Sequence, residues 1–323
     1  MHDTEKENQT SITEFILLGF GNDPELQPLL FVIFLTIYIL TMTGNLLMVL
    51  LVVADHHLHT PMYIFLGNLS CLETCYSSII LPKMLVHLFT EDGTISVSGC
   101  IAQFYLFGSC LGIETYLLAA MSYDRYSAIC RPLCYASTMH GKFCVQLMAG
   151  AWIASFLANS IVLFMMAQLS FCGPNVIDHY FCDFIPLVKL SCSDTTLIEL
   201  FTFLMTFIFT VTPFLLTLTS YVFIGATILK IPSALGRQKA FSTCSTHLLV
   251  VCIFYGTIII VYMLPDSPTL RNLNKVFSVF YTVLTPLVNP LIYSLRNKEV
   301  HKALGSVGCK VLVFARTKAN LLL

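Results

Sequence analysis

The stretch LQPLLFVIFLTIYILTMTGNLLMVLLVVA, residues Leu26–Ala54, contains no Asp, Glu, Lys or Arg. The hydrocarbon core of a bilayer is about 30 Å thick, and about 20 apolar residues of helix are needed to cross it. Leu26–Ala54 therefore predicts a transmembrane helix. The whole chain has a matching composition, because 56% of its 323 residues are hydrophobic and only 11% are charged. Soluble domains contain about 25% charged residues, so this composition argues against a soluble enzyme and indicates a membrane protein.

Six further stretches have the length and composition of membrane spans, and two of them contain one internal acid each, Glu73 and Glu114. Internal prolines do not exclude these spans, because membrane helices tolerate proline when neighbouring groups satisfy the freed carbonyls. The predicted fold class is all-α, a seven-transmembrane-helix bundle over residues 28–295, between a tail of residues 1–27 and a segment of residues 296–323. The predicted helices cover about residues 28–54, 61–87, 95–130, 142–168, 197–230, 238–264 and 275–295.

The distribution of basic residues predicts the orientation of the bundle. With the N-terminus outside, twelve of the 17 Lys and Arg residues fall on the cytoplasmic side, as the positive-inside rule requires. Asn8 begins the glycosylation sequon Asn8-Gln9-Thr10, which agrees with an extracellular tail. Residues 296–304 have the pattern of a short amphipathic helix on the inner membrane surface.

Four of the 13 cysteines fall on the oxidising outer side, where three disulfide connectivities are possible. These four are Cys100, Cys172, Cys182 and Cys192. A disulfide from Cys100 to the long outer loop, residues 170–196, would hold that loop over the bundle as a lid.

His179 and Cys182, flanked by Asp178 and Asp183, could contribute to a metal site in the same loop. Pairing of Cys182 in a disulfide would remove its thiolate as a ligand, so no metal site is predicted. The net charge of -1 provides no basic field, so nucleic acid is not an expected partner and membrane lipid is.

Four charged residues inside or beside the membrane need a structural explanation. Glu73 and Glu114 are expected to face the bundle interior, where they could bind a sodium ion or relay protons or, alternatively, act as protonated hydrogen-bond donors that fix helix packing. At the cytoplasmic end of the third helix, Asp124 and Arg125 form an adjacent pair that can hold and release the arginine. A snorkelling interfacial arginine is the alternative interpretation of that pair.

Five strings occur in order along the chain, each at the expected helix: Leu58–Tyr63 (LHTPMY), Met121–Tyr126 (MSYDRY), Ser220–Tyr221 (SY), Lys239–Cys244 (KAFSTC) and Pro286–Pro290 (PLVNP). With them the sequence resembles the vertebrate olfactory (odorant) receptors, a branch of the rhodopsin-like (class A) G-protein-coupled receptors, over nearly its whole length. The resemblance implies a multi-pass protein of the plasma membrane that is not an enzyme. It also implies that a small-molecule odorant triggers nucleotide exchange on a stimulatory olfactory-type G protein, which raises cyclic AMP.

The resemblance also assigns roles to individual residues. It pairs Cys100 with Cys182 and Cys172 with Cys192, and it places Glu73 in a sodium-pocket region, together with Glu114. The residues implied in activation and G-protein coupling are Asp124, Arg125, Tyr126, Tyr221, His247, Asn289, Pro290 and Tyr293. For His247, a packed polar residue is an equally acceptable interpretation. In the sixth helix, the place of the tryptophan toggle of related receptors is taken by Tyr255.

Helical spacing predicts a ligand pocket in the outer half of the bundle. On the third helix, five residues follow i, i+3, i+4, i+7, i+8 and so share one face. The predicted pocket residues are Phe104, Phe107, Gly108, Leu111 and Gly112 on the third helix, Met205, Thr206 and Phe209 on the fifth, Tyr255, Ile258, Ile259 and Tyr262 on the sixth, and Val279 and Thr282 on the seventh. The alternative is that these residues only pack the bundle.

This set contains no Asp, Glu, Lys or Arg, so the expected ligand is neutral and mainly apolar, and it is held by shape and by one or two hydroxyl contacts. Asp266 is the one acid expected to be able to reach the pocket. Two functional alternatives remain open: a non-olfactory small-molecule chemoreceptor of the same fold, and an ion transporter or channel. A retinal-binding photoreceptor is not expected, because residues 276–295 of the last span contain no lysine for a Schiff base.

Overall fold

The computed structural model describes residues 12–21, 24–172, 174–264, 268–295, 299–300 and 302–305. Within these ranges, only the backbone is described for residues 239, 242–243, 246, 268–272 and 293–295. Seven long helices within these ranges form a bundle. They are α1 Leu26–Ala54, α2 Pro61–Thr90, α3 Val97–Cys130, α4 Gly141–Met166, α5 Thr196–Leu229, α6 Ala234–Met263 and α7, residues 268–295. The connections contain the short helices Tyr135–Thr138 and Phe184–Lys189 and the 3₁₀ turns His56–Leu58 and Pro132–Cys134.

Six of the described helices are long and apolar enough to cross a membrane, and α6 contributes a shorter apolar segment, His247–Met263. This arrangement confirms the predicted seven-helix bundle. Many large apolar side chains remain exposed on its outer surface, for example Leu50 of α1 at 62%. In water such a surface would be a liability, whereas against lipid it is the expected contact surface.

Two helices, α6 and α7, begin earlier in the sequence than predicted. α6 begins at Ala234 rather than 238, because Ser233 caps it by accepting a hydrogen bond from the Gly236 amide at 3.3 Å. α7 begins at Pro268 rather than 275. The α6 extension contains Arg237 and the α7 extension contains Arg271, so a search for charge-free stretches does not detect them.

Two helices contain a widened π-helical turn next to a proline. In α5 the turn is Phe207–Val211, before Pro213, and in α7 it is Phe280–Leu284, before Pro286. Proline lacks an amide hydrogen, and its ring collides with the carbonyl four residues earlier in a regular helix. A widened turn moves that carbonyl away. In α7 the Phe280 carbonyl, six residues before Pro286, accepts hydrogen bonds from the Thr285 amide and also, at 2.9 Å, from the Thr285 hydroxyl.

A small sheet at the outer end is not predicted from the sequence. Its strands are β1 Glu14–Leu17, β2 Thr94–Ser96 and β3 Val176–Ile177, with β1 in the centre, antiparallel to β2 and parallel to β3. Phe15 and Leu17 of β1 are almost fully buried. The N-terminal tail therefore joins the α2–α3 connection to the long loop between α4 and α5.

The loop between α4 and α5, residues 167–195, forms a lid over the outer end of the bundle. Disulfides join Cys100 to Cys182 and Cys172 to Cys192, which is the pairing that the family resemblance implies. Cys100 is in the first turn of α3, so this bond holds the lid on the central helix. The Gln103 side chain accepts a hydrogen bond from the Cys182 amide at 2.9 Å and adds a second attachment.

Polar contacts between helices fix the middle of the bundle. The Asn45 amide donates to the Pro286 carbonyl at 3.0 Å, which joins α1 to α7, and the Tyr76 hydroxyl donates to the Tyr281 carbonyl at 2.8 Å, which joins α2 to α7. After α7, residues 299–300 and 302–305 are helical and bury Val300 and Ala303 against the inner end of α1.

Candidate functional site

An internal cavity of about 100 Å³ lies in the outer half of the bundle, below the lid. Helices α3, α4, α5 and α6 form its walls, and the lid contributes Asp183 and Phe184. We call this space the inner cavity. Its lining residues are Phe104, Phe107, Gly108, Leu111, Gly112, Thr115, Ala158, Asn159, Val162, Asp183, Phe184, Thr202, Met205, Thr206, Phe209, Thr210, Ile258 and Tyr262.

The structure brings together most of the predicted pocket residues. All five from the third helix line the inner cavity, with all three from the fifth helix and two of the four from the sixth, Ile258 and Tyr262. Two glycines leave the space open on α3. A Cβ on Gly112 would collide with the Ser155 hydroxyl, and one on Gly108 would lie 2.7 Å from Oδ1 of Asn159.

Four predicted pocket residues do not line the inner cavity: Tyr255, Ile259, Val279 and Thr282. Tyr255 is buried beside the cavity, and its hydroxyl donates to the Thr115 carbonyl of α3 at 2.5 Å. Thr282 donates to the Ser278 carbonyl at 2.7 Å and accepts from the Tyr180 hydroxyl at 2.8 Å. Both hydroxyls are therefore occupied by contacts within the protein.

Ile259 and Val279 lie outside the inner cavity for a different reason. Ile259 is half-buried on a face of α6 next to the cavity-lining Ile258. Val279 packs against the main core, immediately before the π-helical turn of α7. The walls of the inner cavity come from α3, α4, α5, α6 and the lid, so the predicted residues of α7 do not reach it.

Several cavity residues are missing from the sequence prediction. Thr202 and Thr210 extend the α5 face at i−4 and i+4 from Thr206, so the same spacing rule would have found them. On α4, Ala158 and Val162 are also four residues apart. That helix has no pattern that points to a pocket, because its apolar residues continue around its whole circumference.

The expectation of a cavity without an acid is wrong. Asp183 of the lid lines the inner cavity and is only 4% exposed. The Tyr262 hydroxyl lies 2.9 Å and 3.0 Å from its two carboxylate oxygens, and the Phe184 amide donates to it at 2.7 Å. Burial raises the pKa of Asp183 to about 6 despite these hydrogen bonds. Asp266, the acid expected there, lies outside the described residues.

The position of Asp183 in the cavity wall could not be predicted from the sequence, because it depends on how the lid folds. The disulfide at Cys182 places the next residue under the lid, at the N-cap of the short helix Phe184–Lys189. Loop residues follow no helical periodicity, so only the folded lid shows which of them face the bundle.

Glu73 and Glu114 form the centre of a buried polar cluster between α2, α3 and α7. Each is 1% exposed. The Asn289 amide donates to one carboxylate oxygen of Glu73. Within the described part of the chain, five buried oxygen atoms around them have no hydrogen-bond partner: Oε2 of Glu73, both carboxylate oxygens of Glu114, Oγ of Ser77 and Oδ1 of Asn289.

At the cytoplasmic end, Asp124 is fully buried and holds Arg125. The Arg125 guanidinium donates to Asp124 at 3.1 Å, and the Tyr135 hydroxyl of the α3–α4 connection donates to the same carboxylate at 2.8 Å. Tyr126 packs against Phe223 of α5, with ring centroids 5.9 Å apart. The ion pair at the end of α3 is therefore closed.

A second contact joins α5 to α6 at the same end. The Tyr221 hydroxyl is hydrogen-bonded to Nδ1 of the buried His247. Pro290 of α7 packs against α1, where a Cβ on Gly44 would lie 3.3 Å from its ring. The side chain of Tyr293, another predicted coupling residue, is not among those that the structure describes. Asn8, the predicted glycosylation site, lies outside the described residues.

No group of three or more His, Cys, Asp or Glu residues that could hold a metal ion occurs within the described ranges. His179 is instead buried between aromatic rings, stacked on Tyr180 with a centroid separation of 4.7 Å and edge-on to Phe181 at 4.6 Å. Burial, with Lys275 nearby, lowers the pKa of His179 to about 3. Cys182 is in a disulfide and has no thiolate to offer.

A sequence model of the olfactory receptor family matches residues 34–310. The chain belongs to the olfactory receptor family. It is 49% identical to olfactory receptor 5AP2 of Mus musculus over 94% of its own length and 96% of that protein. It is 49% identical to olfactory receptor 5A1 of Homo sapiens (95% and 98% covered) and 47% identical to olfactory receptor 2G6 of Homo sapiens (94% and 96% covered).

Family membership confirms the resemblance carried by the five sequence strings. This olfactory receptor is a multi-pass protein of the plasma membrane and is not an enzyme. Receptors of this family respond to odorants and couple to G proteins. The inner cavity lies in the outer half of the bundle, and the Asp124–Arg125 pair lies at its cytoplasmic end.

Proposed function

We propose that this receptor binds a small, neutral and mainly apolar odorant in the inner cavity and activates a stimulatory olfactory-type G protein, which raises cyclic AMP. The observation that carries the proposal is the cavity itself: its walls are mostly apolar and aromatic, with a few hydroxyl and amide groups. Ligand sites commonly combine an apolar lining with a small number of placed polar groups. A volume of about 100 Å³ restricts the ligand to a small molecule.

The polar groups of the cavity support a neutral ligand. Thr202 lines the inner cavity, and its buried hydroxyl has no hydrogen-bond partner within the described part of the chain. A ligand hydroxyl or carbonyl would satisfy it. Asp183, in contrast, already accepts hydrogen bonds from Tyr262 and Phe184. A charged amine would have to compete with these contacts, so we favour a ligand with one neutral polar group.

A short chain of contacts supports transmission from the cavity to α6. Thr115 lines the inner cavity on α3, and its carbonyl accepts the Tyr255 hydroxyl of α6. Tyr255 packs against Phe214 of α5, with ring centroids 5.4 Å apart. An odorant that displaces α3 relative to α6 would therefore change a contact shared by three helices, and Tyr255 keeps its proposed role as the toggle.

The first experiment removes one hydroxyl from the cavity. Thr202→Val keeps the shape of the side chain and loses the hydrogen bond, which is worth about 1 kcal/mol or about fivefold in potency. We expect a cyclic AMP reporter to show this loss for alcohols and ketones and no loss for hydrocarbons. Thr219→Val, on the exposed face of the same helix, is the matched control. If alcohols and ketones had equal potency on the unmodified receptor, Thr202→Val and Thr219→Val, the proposal that the odorant binds in the inner cavity would be contradicted.

The second experiment addresses the G protein. Arg125→Ala should abolish the odorant-dependent rise in cyclic AMP and leave surface expression close to normal, because Arg125 is at the cytoplasmic end and is only partly buried. Normal cyclic AMP signalling by a well-expressed Arg125→Ala protein would contradict its role. A response of the unmodified receptor through calcium alone would contradict the stimulatory type of G protein.

We also propose a sodium ion between Glu73 and Glu114. Carboxylate, hydroxyl and amide oxygens are the ligands that hard cations prefer, and the unpartnered oxygens of this cluster are of these types. A ligand that binds only the folded receptor stabilises it by about 1.4 kcal/mol at ten times its dissociation constant. We expect NaCl, compared with choline chloride, to raise the thermal stability of the purified receptor, and Glu114→Gln to remove the difference.

A further inference from the structure

A second cavity lies above the inner cavity, between the lid and the outer ends of α6 and α7. Its volume is about 190 Å³. We call it the vestibule. The lid contributes Val176, His179, Asp183 and Lys189 to its wall, and α7 contributes Asn274 and Ser278. None of these positions follows from the helical spacing that predicts the inner cavity.

Two buried polar atoms in the vestibule wall have no hydrogen-bond partner within the described ranges. They are Nδ1 of His179, a residue that is only 5% exposed, and Oδ1 of Asn274. An amide oxygen is always an acceptor, and Nδ1 of a neutral imidazole is an acceptor when the ring proton is on Nε2. The vestibule wall therefore contains polar atoms that the protein itself does not satisfy, and a buried polar group without a partner is destabilising.

One residue separates the vestibule from the inner cavity. Asp183 lines both spaces, and its carboxylate is hydrogen-bonded to Tyr262, which lines only the inner cavity. The Asp183–Tyr262 contact thus forms a wall between them. Movement of the Tyr262 ring away from the lid would connect the two spaces without breaking a disulfide or a strand.

The outer side of the vestibule is closed by Lys275 of α7. Its ammonium group forms an ion pair with Asp178 of the lid and donates to the Gly19 carbonyl of the N-terminal tail at 3.2 Å. Asp178 is exposed, with 55% of its side chain accessible. The Lys275 side chain is 18% exposed, and this pair can separate without breaking a covalent bond, so this side can open more easily than the disulfide-linked part of the lid.

We propose that the vestibule is a second binding site, for small neutral alcohols, which are held there before they pass the Asp183–Tyr262 contact into the inner cavity. The hydroxyl donor of an alcohol matches the unpartnered acceptors of His179 and Asn274. Lys189 and Lys275 disfavour an ammonium ligand, and Asp178 and Asp183 disfavour a carboxylate. The passage inward, though not the binding in the vestibule, rests on the proposed function of the inner cavity.

The test measures protection of a cysteine at the vestibule wall. Val176→Cys places a thiol of similar size at a position that is 37% exposed, where a membrane-impermeant methanethiosulfonate can modify it on intact cells. We expect 1-hexanol to slow this modification at least threefold. Methyl pentyl ether, which has the same number of heavy atoms and no donor, should not slow it. His179→Phe, which keeps the aromatic contacts and removes the acceptor, should abolish the protection.

The background variant Thr206→Trp separates this proposal from the proposed function, because it fills the inner cavity. Protection by 1-hexanol in that background supports a separate vestibule site, whether or not the inner cavity binds odorants. Loss of protection there, or equal protection by the ether, would overturn the proposal. Surface labelling of an N-terminal epitope verifies that each variant is folded and exported, and Lys189→Cys provides a second labelling position if Val176→Cys disturbs the disulfides.

Discussion

The two ends of the bundle are closed by different kinds of contact. At the outer end, the Cys100–Cys182 disulfide attaches the lid to α3, the Cys172–Cys192 disulfide cross-links the lid internally, and backbone hydrogen bonds of a three-stranded sheet join it to the tail. At the inner end, the closing contacts are side-chain hydrogen bonds: Asp124 with Arg125 and Tyr135, and Tyr221 with His247. Covalent and backbone contacts resist exchange, whereas side-chain contacts exchange at a cost of about 1–3 kcal/mol each.

The difference matches what each end must do. Under the proposed function, a small odorant needs a lid that stays in place and opens only locally, for example at the Lys275–Asp178 ion pair. A G protein is a large partner and would need the inner ends of the helices to separate. Side-chain contacts that break one at a time would permit that movement, so we call the inner contacts the switch and the disulfide-linked outer end the frame.

The largest effect is expected from breaking the frame. Cys100→Ser opens a covalent link across 82 residues of chain, and the loop-entropy relation assigns about 4.5 kcal/mol to a loop of this size. We expect surface expression to fall to background, as measured by labelling of an N-terminal epitope. Cys134→Ser changes a free, exposed cysteine and should be exported normally. Normal export of the Cys100→Ser protein would show that the tail and sheet hold the lid without this bond.

The frame is also the part of the fold that is hardest to predict from the sequence. The membrane imposes long apolar stretches, so five helices could be predicted from the absence of charge and the other two from stretches with one internal acid. Strands of two to four residues, such as β3, leave no comparable pattern. The side-chain positions of Asp183 and His179 depend on how the lid pairs with the tail and with Cys100, which no local periodicity encodes. Thr202 could have been predicted, because it continues the spacing that located Thr206.

A smaller effect is expected from weakening the switch. Tyr135→Phe removes one hydrogen bond to the buried Asp124 carboxylate, and hydrogen bonds to charged groups contribute about 1.5–3 kcal/mol. The closed ion pair loses part of its stabilisation, so basal cyclic AMP should rise by up to about tenfold at equal surface expression. Tyr123→Phe, on an exposed tyrosine one residue before Asp124, is the control. Unchanged basal signalling in Tyr135→Phe would mean that the Tyr135 contact persists in the active state.

The smallest effect concerns the contact between Asp183 and Tyr262 in the frame, because the Asp183 carboxyl can titrate near neutral pH. The pKa of Asp183 is about 6, raised mainly by burial from the ordinary value of about 3.9. A carboxyl whose pKa is raised in the folded state adds stability at low pH, and this contribution is lost as the pH rises through 6. The two pKa values correspond to about 0.8 kcal/mol more stability at pH 5.5 than at pH 7.4. His179, with a pKa of about 3, keeps its neutral form over this range.

Thermal unfolding of the purified receptor at the two pH values measures this contribution, provided that other titrating groups are subtracted. Asp183→Asn keeps the shape and an acceptor for Tyr262 but cannot titrate, so its pH dependence should be smaller than that of the unmodified receptor by about 0.8 kcal/mol. Asp194→Asn provides the comparison, because hydrogen bonds from Thr196 lower the pKa of that exposed lid carboxyl and keep it ionised at both pH values. Identical pH dependence in all three proteins would mean that water reaches Asp183, and the wall between the vestibule and the inner cavity would then be open in the resting receptor.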